Sequence, residues 1–432
     1  MSAATIAMIA LVVFVWGLFS ARLGRADLSA PIIFVTAGLL FSHGLHVVDP
    51  EQSREIVKLL AEVTLVWVLF ADAARVGVRD LRADLGMYAR LLAVGLPLTI
   101  AAGALLAVWL FDGMGVWPAL LIGAALAPTD AALGAAVMTD PAVPDRVRRI
   151  INVESGLNDG IATPVVMVAI AGAAAAESVQ GEGPGAALAD LAIGLAVGIV
   201  AALVGGWAMR IARRRGWGSE DFAGPAVLAL ALAVYGGALW LDGNGFVAAF
   251  VAGIAFGNAA GRGDAKEVFY VEQTAGLVSL LTWLLFGALA VPIVFAQADW
   301  RVVGYAVLSL TVVRMLPVAL VLIGAKLSPP TVAFIGWFGP RGLASIIFAL
   351  IGLEELGDDG EFAAAVIGTA VLISVFAHGL SAKPLANRYA QNAAGTAPAP
   401  PDAPAVPHPP VRRLLHHHPN AAHPRQPDEG NA

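Results

Sequence analysis

Stretches of about twenty apolar residues recur along nearly the whole chain, and none alternates apolar with polar as the strands of a membrane barrel must. In hydrocarbon, a backbone of that length satisfies its N–H and C=O groups only as a helix, so the pattern dictates an all-α polytopic membrane protein. Composition excludes the soluble alternative: 58% of the 432 residues are hydrophobic and 13% are charged, against about 25% charged in soluble domains. There is no cysteine, which rules out disulfides, thiolate metal sites and cysteine nucleophiles. The first apolar run follows no basic residue and reads as a span rather than a cleaved signal peptide.

About thirteen transmembrane helices are expected, near residues 5–20, 30–42, 56–71, 88–110, 117–138, 151–175, 186–209, 223–241, 245–259, 272–295, 302–325, 331–351 and 362–382. Lysine and arginine on alternate loops test that count, because cytoplasmic loops carry the excess. One set of loops holds sixteen: Arg22, Arg25, Arg75, Arg79, Arg82, Arg90, Arg146, Arg148, Arg149, Arg210, Arg213, Arg214, Arg215, Arg262, Lys266 and Lys326. The other set holds Arg54, Lys58 and Arg301. The asymmetry places the N-terminus outside and the C-terminus in the cytoplasm of a cell-membrane protein. Acidic loops at 177–190 and 354–361 fall on the outer side, and Glu62 is expected to pair with Lys58 one turn away. Residues 391–432, rich in Pro, Ala and His, read as a disordered cytoplasmic tail in which His416, His417 and His418 are solvated.

Outside these loops and the tail, two of the 26 basic residues remain, Arg314 and Arg341, both near the middle of spans. Carboxylates lie at similar depth in Ala127-Pro128-Thr129-Asp130 and in Glu154-Ser155-Gly156-Leu157-Asn158-Asp159. A charge at the bilayer centre costs roughly 2.5–3.5 kcal/mol on insertion scales, so each needs a partner or a task. Pro128 should interrupt the fifth span, and Gly336, Gly339, Pro340 and Gly342 the twelfth. Interrupted spans seven apart suit two inverted six-helix repeats around a linker span, with a binding site where the breaks meet. Simple proline kinks are the plainer alternative.

Ser155 and Asp159 are four apart and share a helical face, as do Glu154 and Asn158. Glu154 and Asp159 point roughly 140° apart at ~100° per residue, so different tasks are expected of them. Asp159 and Ser155, with Thr129 and Asp130 at the neighbouring break, supply the oxygen ligands that replace water around a hard monovalent cation. A buried carboxylate holds either a proton or a cation, since burial favours the protonated form and a bound cation the ionised one. Glu154 is the natural partner of an intramembrane arginine, with Arg314 the first choice and Arg341 the second. Asn158 is either a direct ion ligand or a tie between helices, and Asp72 either a gating or cavity residue or an interfacial carboxylate.

At these residues the chain resembles the monovalent cation:proton antiporters of the NhaP and sodium/proton exchanger branch. The matching stretches are Leu69-Phe70-Ala71-Asp72-Ala73, Ala127-Pro128-Thr129-Asp130, Glu154 to Gly160, Val313-Arg314 and Gly339-Pro340-Arg341-Gly342-Leu343-Ala344. The resemblance implies an NhaA-like antiporter fold over residues 1–390, with core helices at about 88–175 and 302–382. Dimer-forming scaffold helices are implied at about 5–71 and 223–295, with an elevator-like movement of the core. It implies that Asp159 carries the exchanged ion or proton, with Thr129, Asp130, Ser155 and Asn158 around it, and that Glu154 and a core arginine form a structural ion pair. It further implies electroneutral exchange of Na+, Li+ or K+ for H+, without enzymatic activity, cofactor or nucleic-acid partner. A sodium-coupled organic solute symporter of similar fold is the main rival. An ion channel would share the polar residues, and an intramembrane aspartyl protease would need a second glycine that Gly156-Leu157-Asn158-Asp159 lacks.

Overall fold

The computed structural model describes residues 3–25, 28–44, 54–77, 81–177, 184–259 and 265–393. In chain order the helices are α1 (Ala3–Arg25), α2 (Ala30–Gly44), α3 (Arg54–Ala74), α4 (Leu85–Leu110), α5 (Val116–Ala125), the single turn α6 (Ala135–Met138), α7 (Asp145–Glu177) and α8 (Pro184–Arg214). They continue as α9 (Glu220–Trp240), α10 (Gly245–Ala259), α11 (Ala265–Leu285, prolonged through a wider turn to Ala296), α12 (Trp300–Val321), α13 (Pro329–Trp337), α14 (Leu343–Glu355) and α15 (Gly357–Ala393). Among the described residues eight helices are long and apolar enough to cross a membrane, and Ala30–Gly44, Val116–Ala125 and Gly245–Asn258 are shorter apolar helices. The chain is a multi-pass membrane protein.

Two groups of helices emerge from the packing. In one, α10 packs on α3, α8 and α9, and α11 on α2, α3 and α9. In the other, α5 lies between α4 and α7, and α12 between α4, α13 and α15, with α14 along α15. The groups meet where α7 touches α3, α8 and α10 and where α14 touches α3. Close approach at that seam depends on Gly160, because a Cβ there would overlap the ring of Phe250 on α10.

Both expected interruptions are present. α5 stops at Ala125, two residues short of the Ala127-Pro128 pair, where a proline ring would clash with the preceding turn. A non-helical stretch then runs through turns to α6. α13 opens on Ser328, whose Oγ accepts from the Thr331 N–H at 3.4 Å, with Pro329 and Pro330 in the first turn where no intrahelical N–H is needed. It closes at Trp337, and residues 338–342 are non-helical before α14.

Three expectations are corrected. No acidic loop occupies 354–361: Glu354 and Glu355 end α14, and Leu356 alone separates it from α15. Lys58 does not pair with Glu62 but lies 3.4 Å from Glu354 and 3.0 Å from Glu355, where two carboxylates outbid one, while Glu62 accepts from the Tyr235 hydroxyl at 3.1 Å. α15 runs to Ala393, past the expected tail boundary at 391. The remaining tail, with its histidine cluster, lies outside the described residues.

Candidate ion-binding site at the helix crossing

The breaks of α5–α6 and α13–α14 cross and cap each other. The Asp130 N–H donates to the Pro340 carbonyl at 2.7 Å. Asp130 Oδ2 accepts the Leu343 N–H at 2.9 Å, and Oδ1 accepts from Ala132 at 2.7 Å and Leu133 at 3.3 Å. The carboxylate thus sits at the N-terminus of α14, a helix whose own N-cap residue, Gly342, has no side chain to cap it, where the macrodipole favours negative charge. Gly342 is required beside it, since a Cβ there would overlap Oδ2.

Arg341 does the reverse. It is fully buried, and Nη1 donates to the carbonyls of Ala127 and Pro128, the latter at 3.0 Å, just beyond the C-terminus of α5. Nη2 reaches the Ser309 carbonyl at 3.5 Å, next to the irregular Thr311 of α12. Ser345 donates to the Ala125 carbonyl at 2.6 Å. A cation at carbonyls and an anion at N–H groups answer main-chain groups that the two breaks leave without intrahelical partners.

A second cluster lies against this crossing on α7. Thr129 Oγ1 is 2.8 Å from Ser155 Oγ and accepts from Asn158 Nδ2 at 2.7 Å, all three residues buried. Asn158 Oδ1 is buried without a hydrogen-bond partner among the described residues. An acceptor stranded in this way costs about 1–3 kcal/mol unless something occupies it. One turn along from Ser155 comes Asp159, half-buried, immediately before the Gly160 that faces α10. It therefore lies at the edge of the seam between the helix groups. Glu154, on another face, lies 2.6 Å from Arg314 Nη1, both side chains buried. Arg341 lies instead at the Ala127 and Pro128 carbonyls beyond α5.

Comparisons with known proteins bear on the family and the fold. Residues 7–388 match the sodium/hydrogen exchanger transmembrane family. The chain belongs to that family. It is 27% identical over 392 residues to a K(+)/H(+) antiporter NhaP of Alkalimonas amylolytica, covering 88% of this chain and 65% of the relative. A Na(+)/H(+) antiporter NhaP of Pseudomonas aeruginosa is 28% identical over 375 residues, covering 78% and 84%. The sodium proton antiporter MjNhaP1 of Methanocaldococcus jannaschii superposes with a TM-score of 0.73 at 20% identity, covering 89% of this chain and 98% of that one, and so shares its fold. This exchanger-family chain spans just under two thirds of the Alkalimonas protein's length.

Within the exchanger-family fold, the structure revises or adds to several sequence assignments. Asp130, expected beside the travelling ion, directs both carboxylate oxygens to main-chain N–H groups. Asp72 lies 3.4 Å from Arg75, which also contacts Glu272 of α11 at 2.5 Å. Counted above as a loop cation, Arg75 has a side chain only 6% exposed. Its i, i+3 spacing from Asp72 was the available signal. Asp72 and Arg75 line a small cavity with Ala131, Asn152, Val153 and Gly156, between the helix groups. Ser374 and His378 were not anticipated: Ser374 Oγ accepts the Arg341 N–H at 2.7 Å, and His378 Nε2 is 2.9 Å from the Trp337 carbonyl, so α15 braces the second break.

Proposed function

We propose that this chain exchanges Na+, Li+ or K+ for H+ by alternating access, electroneutrally, with Asp159 as the carboxylate that holds either ion or proton. The observation that carries the reading is the buried, unpartnered Asn158 Oδ1 in a cluster with Thr129 and Ser155, one helical turn from Asp159. Neutral oxygens beside one carboxylate are what a monovalent cation needs in place of its water. Glu154 is matched by Arg314 and Asp130 by main-chain donors, so neither charge has to change as the cargo alternates. One exchanging carboxylate trades one proton for one cation and moves no net charge.

In this reading the chain crosses the membrane thirteen times, as two inverted six-helix repeats whose broken members are α5–α6 and α13–α14. The core at about 88–175 and 302–382 moves against a scaffold at about 5–71 and 223–295 that forms the homodimer, with the N-terminus outside and the C-terminus cytoplasmic. Asp72, at the small cavity on the seam, lines the approach to the site. The names of the relatives support cation/proton antiport and divide between potassium and sodium.

The test is proton release from everted vesicles on adding sodium, lithium or potassium, with membrane potential clamped and unclamped. The wild-type chain gives saturable release that is insensitive to the clamp. Asp159→Asn, inserted at normal yield, gives none; full exchange by that variant overturns the assignment.

A further inference from the structure

A groove of ≈ 340 Å³ lies between α12, α13 and the last turns of α15. Met315, Phe334, Phe338 and Leu385 give it apolar walls, and Tyr389 stacks on Phe334 with ring centroids 4.3 Å apart. The Tyr389 hydroxyl is turned to Thr331 at 2.9 Å, so its ring presents carbon to the groove. One lining residue is charged: Arg388, exposed near the C-terminal end of α15 and without an acidic partner among the described residues.

Three features define the occupant. α13, with nine residues, is ~13 Å long at 1.5 Å per residue, close to half of the ~30 Å hydrocarbon core. The groove beside it therefore has the depth of one leaflet. An apolar recess facing hydrocarbon is filled by an acyl chain, since water has nothing to bond to there. Arg388 lies on the side that the lysine and arginine count assigns to the cytoplasm, where anionic headgroups concentrate.

We propose that this groove binds one anionic phospholipid of the cytoplasmic leaflet, an acyl chain lying along α13 and the phosphate on Arg388. The chain tip then packs on Phe338, the first non-helical residue of the break and three before Arg341. Lipid occupancy thereby supports the end of α13, which His378 also holds through the Trp337 carbonyl.

The test uses the full chain, delipidated in detergent and titrated with dioleoyl phosphatidylglycerol or dioleoyl phosphatidylcholine, bound lipids being counted by native mass spectrometry. The wild type binds one phosphatidylglycerol about fivefold more tightly than phosphatidylcholine, the gain of one arginine at a lipid surface. Arg388→Gln, at an exposed position that folding does not require, abolishes the difference between the lipids. Ala333→Trp, filling the groove from an exposed wall position, removes the tight site for both. Equal binding of the two lipids by the wild type, or retention of the preference by Arg388→Gln, overturns the proposal. If Ala333→Trp fails to fold, Arg388→Gln alone decides.

Discussion

The helix crossing and the α7 cluster lie side by side, yet one binds charged side chains to main-chain groups and the other binds neutral side chains to one another. At the crossing, Asp130 and Arg341 are bound to main-chain groups of the opposing break, each offsetting a helix-end dipole. In the cluster, Thr129, Ser155 and Asn158 bond to one another and still leave Asn158 Oδ1 over. Charge bound to backbone fixes a shape, whereas a surplus neutral oxygen can serve something that arrives and leaves. Thr129 precedes Asp130 directly, so the ordered break aims one wall of the cluster.

The largest effect should come from removing the crossing's cation. Arg341→Met strands the Ala127 and Pro128 carbonyls at about 1–3 kcal/mol each, and the expected result is little monodisperse protein in fluorescence-detected size exclusion. A well-folded Arg341→Met protein with normal exchange would break the comparison, since the crossing would then not need its charge. Glu154→Ala comes next, because it leaves Arg314 buried without its anion, a loss of about 3–5 kcal/mol. Folded yield should fall more than the transport of surviving protein, and Glu154→Gln with Arg314→Met should recover yield relative to Glu154→Ala. Normal yield with no transport would move Glu154 from scaffold to ion site.

How far the sequence exposed these two regions depended on how local each signal was. The helix breaks were legible because Pro128 and the Gly336–Gly342 run violate helical rules within their own segments. Helical spacing likewise separated Glu154 from Asp159 along a single helix. The choice between Arg314 and Arg341 was left open because both were simply unpaired cations at depth, and only the fold brings α12 against α7. The partners of Asp130 were hidden for a related reason: they are N–H groups of Leu343, Ala132 and Leu133, and main-chain donors carry no sequence signature. Ser374 and His378 were invisible for the same cause, as each acts on backbone of a segment more than thirty residues away.

A smaller effect sharpens the comparison from the cluster's side. Asn158→Ala removes both the tie to Thr129 and the surplus oxygen. Apparent cation affinity in vesicle exchange should fall about tenfold, the scale of one lost buried hydrogen-bonding group, with yield close to wild type. Unchanged affinity with lowered yield would make Asn158 a helix tie and nothing more.

The smallest effect is expected where a charge pair joins the two helix groups at their surface. Lys58 on α3 reaches Glu354 and Glu355 at the end of α14, and all three side chains are a third or more exposed. Such pairs contribute about 0–1 kcal/mol, because water already solvates both charges, so Lys58→Gln should lower thermal stability only slightly and leave maximal exchange within about twofold. The pair nonetheless spans the seam that alternating access would have to shear. If Lys58→Gln changed turnover strongly while stability stayed put, the energy would reside in the difference between two conformations rather than in either one. The contrast between fixed charge and available oxygen would then need a third term, a charge pair that forms in one state of the cycle and breaks in the other.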